Sequence, residues 1–173
     1  MPVGVVDRDL GYQAFLDAMK QIAKQPHVVV GIRQGGKRPQ GDTYEEGFTV
    51  AEVATVHEFG TKDGRVPERS FLRGTLDANR TALEAEMEGL VGAAVDGSQP
   101  LQQGLGLLGE RVVGLAQKRI AENIPPPLKP ATLARKTRAG KVGNVALIDT
   151  GRLRASIDHE VRMGPAETEE GEG

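Results

Sequence analysis

Apolar residues recur along this chain with helical spacing in four long stretches, and with strand-like clustering in several short ones. Tyr12, Phe15, Leu16, Met19, Ile22 and Ala23 fall at intervals of three and four, predicting a helix that Pro26 stops. His27 to Arg33 (HVVVGIR) is short and β-branched, the signature of a buried strand. Val3 to Val6 reads as a short strand or an arm, GGKRPQGD as a polar loop, and the segment through Tyr44 to Phe48 as the continuation of a hairpin. Thr49 and Glu52 match a capping box, Val50, Val53 and Ala54 supply an apolar face, and Gly60 is placed as a left-handed C′ residue. Ser70 is a fitting N-cap for a long helix to Val95 with Leu76, Leu83, Met87, Leu90 and Ala94 as its stripe.

After the Gly97-Ser98 break, Pro100 sits where a first helical turn tolerates proline. Leu101, Leu105, Leu108, Val112, Leu115 and Ala116 mark a second long helix reaching about Asn123. Gly104, Gly106, Gly109 and Gly114 each weaken that helix by up to ~1 kcal/mol relative to Ala, which points to close approach by a neighbouring backbone. Pro125-Pro126-Pro127 ends it, Thr132 to Arg138 forms one or two turns, and Asp149 or Thr150 caps a last short helix carrying Leu153 and Ile157. His159 to Met163 reads as a final strand. The expectation is a single α+β domain over residues 1–163: a small, mostly antiparallel sheet, two long helices, short helices and long loops.

Composition narrows the function. Apolar residues are 38% of the 173 and aromatics 3%, with no Trp, so the core is thin and built from aliphatic side chains. The net charge of −2 gives no general attraction to nucleic acid or membrane, and no apolar run approaches the ~18 residues of a membrane span. Zero cysteines exclude disulfides, thiolate metal sites and a Cys nucleophile. The opening MPVGVVDRDL lacks the features of a signal peptide, so synthesis in the cytoplasm is expected. Charge is segregated: nine Lys/Arg face Glu122 and Asp149 between Lys118 and Arg154, whereas residues 164–173 hold four Glu and no base. That acidic tail has too little apolar content to fold and is expected to be disordered.

No constellation for catalysis stands out. His27, His57 and His159 fit no H-x-x-x-H or H-E-x-x-H pattern, so no metal or other cofactor is expected and His57-Glu58 is half a motif. His57 is read as a hydrogen-bonding residue at a helix end. Ser70, Ser98 and Ser156 lack the Gly-x-Ser-x-Gly context of a nucleophile, and Ser70 and Ser98 suit caps. Gly31, Gly36 and Lys37 imitate a phosphate loop, but Arg38-Pro39 follow where a Ser/Thr and a helix are needed. Lys129, Arg135, Lys136, Arg138 and Lys141 form the best candidate contact for DNA or an acidic protein surface. No aromatic interleaves to stack bases, which favours the protein partner.

Two stretches carry more specific information. In VATVHEFGTKDGRVPERSFLR, the residues Ala54, His57, Glu58, Phe59, Gly60, Pro67, Arg69, Phe71, Leu72 and Arg73 follow an A-x-x-x-E-F-G … P-x-R-x-F-L-R pattern. Further on come Pro127-Leu128, Thr132-Leu133, Arg135-Lys136, Gly140, Leu147-Ile148-Asp149-Thr150-Gly151, Leu153, Ser156 and Ile157. Together, in this order, they resemble the signatures of tailed-bacteriophage tail-completion or neck (head–tail joining) minor tail proteins. Ser70 stands where that family usually has a second proline, and Ala146 where proline is common.

The resemblance implies a non-enzymatic structural protein of the virion, at the neck or tail end, made in the host bacterial cytoplasm. Its partners would be itself in a ring (a hexamer is expected), a head-connector or stopper protein, and a tail terminator or tail-tube protein. Non-specific contact with DNA in the channel is admitted, and no membrane is involved. A minor tail or tail-terminator-like component remains an alternative, as does a DNA-binding module using residues 129–141. Within the signatures, Phe59, Phe71 and Leu72 are expected to anchor the Gly60–Arg69 loop to the core. Arg69 and His57 would fix it by hydrogen bonds, and Asp149, Thr150 and Gly151 would begin the last helix.

Overall fold

The computed structural model describes residues 11–32, 47–138, 146–147 and 151–165. Among them the elements run α1 (Tyr12–Ile22), β1 (His27–Ile32), α2 (Val50–Phe59), α3 (Arg73–Val95), α4 (Leu101–Ala121), α5 (Pro130–Arg138), α6 (Arg152–Ala155) and β2 (Ile157–Arg162). The two strands pair in an antiparallel sheet, so the fold is α+β with two long helices, as the periodicity predicts. The expectations for Val3–Val6, for the loop and hairpin leading to Phe48, for the Asp149 and Thr150 cap, for Lys141 and for the acidic tail fall largely or wholly outside the described residues.

The chain divides into two compact units: Met1–Val28, Thr81–Leu108 and Val161–Gly173 in one, Val29–Arg80 and Gly109–Glu160 in the other. In the first, Ala18, Ala94, Leu101 and Leu105 are buried together, with Ile22, Val28, Met87, Val91, Val95 and Val161 packed against them. α1 has the expected span, but its buried line runs through Ala18 and Ile22 at four-residue spacing, leaving Tyr12, Phe15 and Met19 exposed.

The second unit has the larger core. Val50, Ala54, Phe71, Ala116, Ile120, Ile124, Leu147, Leu153 and Ile157 pack together, with Val30, Ile32, Leu72 and Val113 at their margin. α2 begins with the capping box: Thr49 Oγ1 accepts from Glu52 N–H at 3.2 Å, and the Glu52 carboxylate accepts from Thr49 N–H at 2.8 Å. α4 buries Leu101, Leu105, Leu108, Val112, Ala116 and Ile120 along one side, while Leu76 of α3 stays exposed despite its stripe position. Ser98 does not cap α4; its hydroxyl donates back to Ala93 C=O at 3.2 Å. Gly151, with φ 75°, precedes α6 and accepts from Ala155 N–H at 3.0 Å.

The helical glycines of α4 divide into two kinds. A Cβ at Gly104 would meet Leu90 Cδ2 at 2.6 Å, and one at Gly109 would strike the His159 ring, so these two permit close packing by a side chain. Around Gly106 and Gly114 there is open space, so close approach does not explain them. Replacing Gly109 with Ala is therefore expected to destabilise by roughly 1–3 kcal/mol through overpacking. Gly114→Ala should instead stabilise by up to ~1 kcal/mol. Urea denaturation of the two variants beside the wild type checks both signs.

Candidate functional site

The first signature stretch folds around one buried carboxylate. Val50, Ala54 and Glu58 follow at four-residue spacing on the inward side of α2, so Glu58 continues an apolar line and carries its charge into the core. What receives it is the amino end of α3. Glu58 Oε2 accepts from Phe71 N–H at 2.8 Å and Leu72 N–H at 2.9 Å, and Oε1 accepts from Arg73 N–H at 2.9 Å. The Ser70 hydroxyl donates to Oε1 at 2.6 Å and accepts from Gly74 N–H at 3.0 Å. Of four successive N–H groups at the start of a helix, which have no partner within it, three are thereby satisfied from another helix and the fourth by the adjacent Ser70 hydroxyl. The anion also sits where the helix dipole favours it. Burial by itself would raise the Glu58 pKa; the hydrogen bonds from Leu72, Ser70, Arg73 and Phe71 outweigh that effect and hold it below its ordinary value.

Arginines complete the junction. Arg73 Nε lies 3.3 Å from Glu58 Oε1, its Nη2 donates to Glu58 C=O at 3.1 Å and pairs with Glu68 at 2.9 Å, and its guanidinium covers the Phe59 ring at 4.5 Å. Arg119 Nε donates to Ser70 C=O at 3.0 Å, and its guanidinium passes so close to Gly74 that a Cβ there would lie 2.6 Å from Nη2. Arg69 is buried and sends Nε and Nη2 to a single acceptor, Pro126 C=O, at 3.1 and 2.7 Å.

The intervening loop is closed on itself. Thr61 N–H donates to Val66 C=O at 2.9 Å, Val66 N–H to Thr61 Oγ1 at 2.9 Å, and Arg69 N–H to His57 C=O at 2.7 Å. Gly60 has φ 71° and ψ −177°, an extended mirror conformation rather than the expected left-handed helical one, and it lies against the Glu68 backbone. A Cβ at Gly60 would come within 2.8 Å of Glu68 N, so glycine is required by both conformation and space. Pro67 is half-buried in this loop.

Several expected roles change. Phe71 is fully buried and Leu72 packs at the core margin, as expected of anchors, but Phe59 is 60% exposed and rests under Arg73 instead of in the core. Arg69 fixes the loop; His57 does so through its backbone carbonyl, while its ring Nδ1 is enclosed with no hydrogen-bond partner. Among the basic candidates, Lys129, Arg135 and Arg138 are exposed, but Lys136 is only 8% exposed. The helix explains the difference, because Thr132, Leu133 and Lys136 share the inward side of α5 at three- and four-residue spacing. Lys136 is therefore withdrawn as an outward contact.

Gly74, Arg119 and the Pro126 carbonyl were not evident as parts of the site. Their roles depend on contacts 49 and 57 residues apart in the chain, which no local pattern encodes. Among the described residues no group of three His, Asp or Glu could hold a metal ion, and no helix is long and apolar enough to cross a membrane. No protein-family model, curated protein or solved structure matches the chain.

Glu58→Ala should cost roughly 3–5 kcal/mol, since it strands buried amides, and Glu58→Gln should cost less because one acceptor oxygen remains. The lowered folded pKa means that the unfolded chain binds the proton first. The stabilisation is then complete above about pH 4.5, the ordinary value, and is lost as pH falls through the folded pKa. Denaturation midpoints between pH 7 and 3 should show a steep acid loss in the wild type and a flatter profile in Glu58→Gln.

Proposed function

We propose that this chain is a virion assembly protein of a tailed phage, a tail-completion or neck component that helps join the tail to the head connector around the DNA channel. The supporting observation is that the two stretches resembling that family, far apart in sequence, share one core: Ala54, Phe71 and Leu72 from the first pack with Leu147, Leu153 and Ile157 from the second. Six of the residues quoted for the resemblance thus lie in or against this unit's core, which supports a structural purpose for both stretches. The junction's polar groups point the same way. Glu58 is engaged by Ser70, three backbone N–H groups and Arg73, and Arg69 by a carbonyl, an arrangement suited to holding segments together instead of turning over a substrate.

In this reading the protein works without enzymatic activity, as copies in a ring expected to be hexameric, between a head-connector or stopper protein and a tail terminator or tail tube. It is made in the host cytoplasm and ends in the virion. A minor tail component is the nearer alternative. The exposed bases Lys129, Arg135 and Arg138 support a second reading, a DNA-binding module, whose affinity would fall steeply with salt. An acidic protein surface is favoured over DNA because no aromatic side chain lies within residues 129–141 to stack on bases.

Deleting the gene should leave normal heads and normal tails unjoined in electron micrographs. Joined, infectious particles in the deletion would sink the reading. Arg135→Glu with Arg138→Glu should reduce joining while leaving the circular dichroism spectrum intact, and DNA retardation at low and high salt separates the two partners.

A further inference from the structure

We propose that His57 and Arg69 form a proton-sensitive latch, in which protonation of the His57 ring releases the Gly60–Arg69 loop from α2 and from the Pro126 carbonyl. The loop returns to α2 through one backbone hydrogen bond, Arg69 N–H to His57 C=O at 2.7 Å. It is held to the segment after α4 by the Arg69 guanidinium on Pro126 C=O. Both ties belong to Arg69, a buried cation whose hydrogen bonds go to carbonyl oxygens and not to a carboxylate. His57, joined to Arg69 through its backbone carbonyl, has its ring Nδ1 sealed from solvent and without a hydrogen-bond partner.

In the neutral ring Nδ1 can be the lone-pair nitrogen, and an enclosed acceptor near a guanidinium is tolerable. A proton at Nδ1 creates an enclosed donor with nothing to receive it, and a second positive charge next to Arg69. Burial first, and the Arg69 charge second, both act to lower the His57 pKa from 6.5. Other charges do not offset them. On and around α2 these are Glu52 and Glu58 on α2 itself, Lys62, Asp63, Arg65 and Glu68 in the loop, Arg73 at the start of α3, and Arg152 and Arg154 on α6, which packs against α2. The Glu58 carboxylate is turned to the α3 amides and Glu68 to Arg73, while Arg69 is the charge that acts on the His57 ring. The position of His57 in the last turn of α2 favours a cation through the helix dipole, and that effect is outweighed.

The latch opens at the cheaper tie. Arg69 sits on a flexible stem and can carry its charge to water, whereas His57 is fixed in a helix. Release frees the loop bearing Lys62, Asp63, Arg65 and Glu68, and leaves Phe71 and the Glu58 junction in place. The inference does not depend on the assembly role proposed above.

The test is amide hydrogen exchange with NMR titration of the histidine rings, in the full chain. His57 should titrate below 6.5, the ordinary value. The protection of the Arg69 amide, corrected for intrinsic exchange, should fall as pH drops through that value, by about tenfold for each unit of pKa depression. The Ala116 amide in the core of α4 reports global opening and should not follow. His57→Gln, which has no charge to gain, should abolish the step, and the wild-type titration stands by itself if that variant misfolds. A His57 pKa at or above the ordinary value, an Arg69 amide indifferent to pH or moving with Ala116, or a step that persists in His57→Gln would each overturn the latch.

Discussion

The Val29–Arg80 and Gly109–Glu160 unit depends on one carboxylate filling the amino end of one helix. α3 has no conventional start: the N–H groups of Phe71, Leu72 and Arg73 converge on Glu58, which arrives from α2, and Gly74 is served by Ser70. A cap of this kind differs from a local serine or aspartate cap because it fixes the relation of two helices as well as ending one. The charge tolerates burial because each of its oxygens meets several donors, and those donors are themselves costly to bury without an acceptor. Each side of the junction makes the other affordable.

Around that point the unit places its arginines by a different rule. Arg69 and Arg119 direct their guanidinium groups to the carbonyls of Pro126 and Ser70, and Arg73 shares itself between Glu58, Glu68 and the Phe59 ring. Carbonyl acceptors hold a fork of N–H donors without introducing another charge, which suits segments that lack regular hydrogen-bonded structure. In a chain with 3% aromatic residues and a small aliphatic core, such polar crosslinks carry part of the ordering that larger side chains would otherwise supply. The loop between Gly60 and Arg69 is consequently a closed object, pinned at its two ends, with its charged residues outward.

This organisation explains why the family-like stretches look as they do. Glu58, Gly60, Arg69 and Phe71 each serve a separate purpose: an anion for the amides, a conformation and clearance no Cβ permits, a fork for a distant carbonyl, and a ring that fills the core. Ser70, in the place where the resemblance leads one to expect proline, supplies a hydroxyl that a proline could not. In the second stretch, Leu147, Leu153 and Ile157 return to the same core, and Arg135 and Arg138 remain outside it.

The sequence by itself determined the helices, their capping box, the two long apolar stripes and the class of fold, because periodicity and caps are local properties that a few neighbouring residues specify. It also marked Glu58, Gly60, Arg69 and Phe71 as belonging together, through a pattern and not through their physics. Tertiary structure decided the rest. It turned Glu58 from half of a metal motif into the cap of α3, left Phe59 outside, enclosed the His57 ring, withdrew Lys136 from the surface, and distinguished Gly104 and Gly109 from Gly106 and Gly114. Each of these outcomes turns on which distant atom stands within a few ångströms, and a one-dimensional pattern of apolar and polar residues does not carry that information.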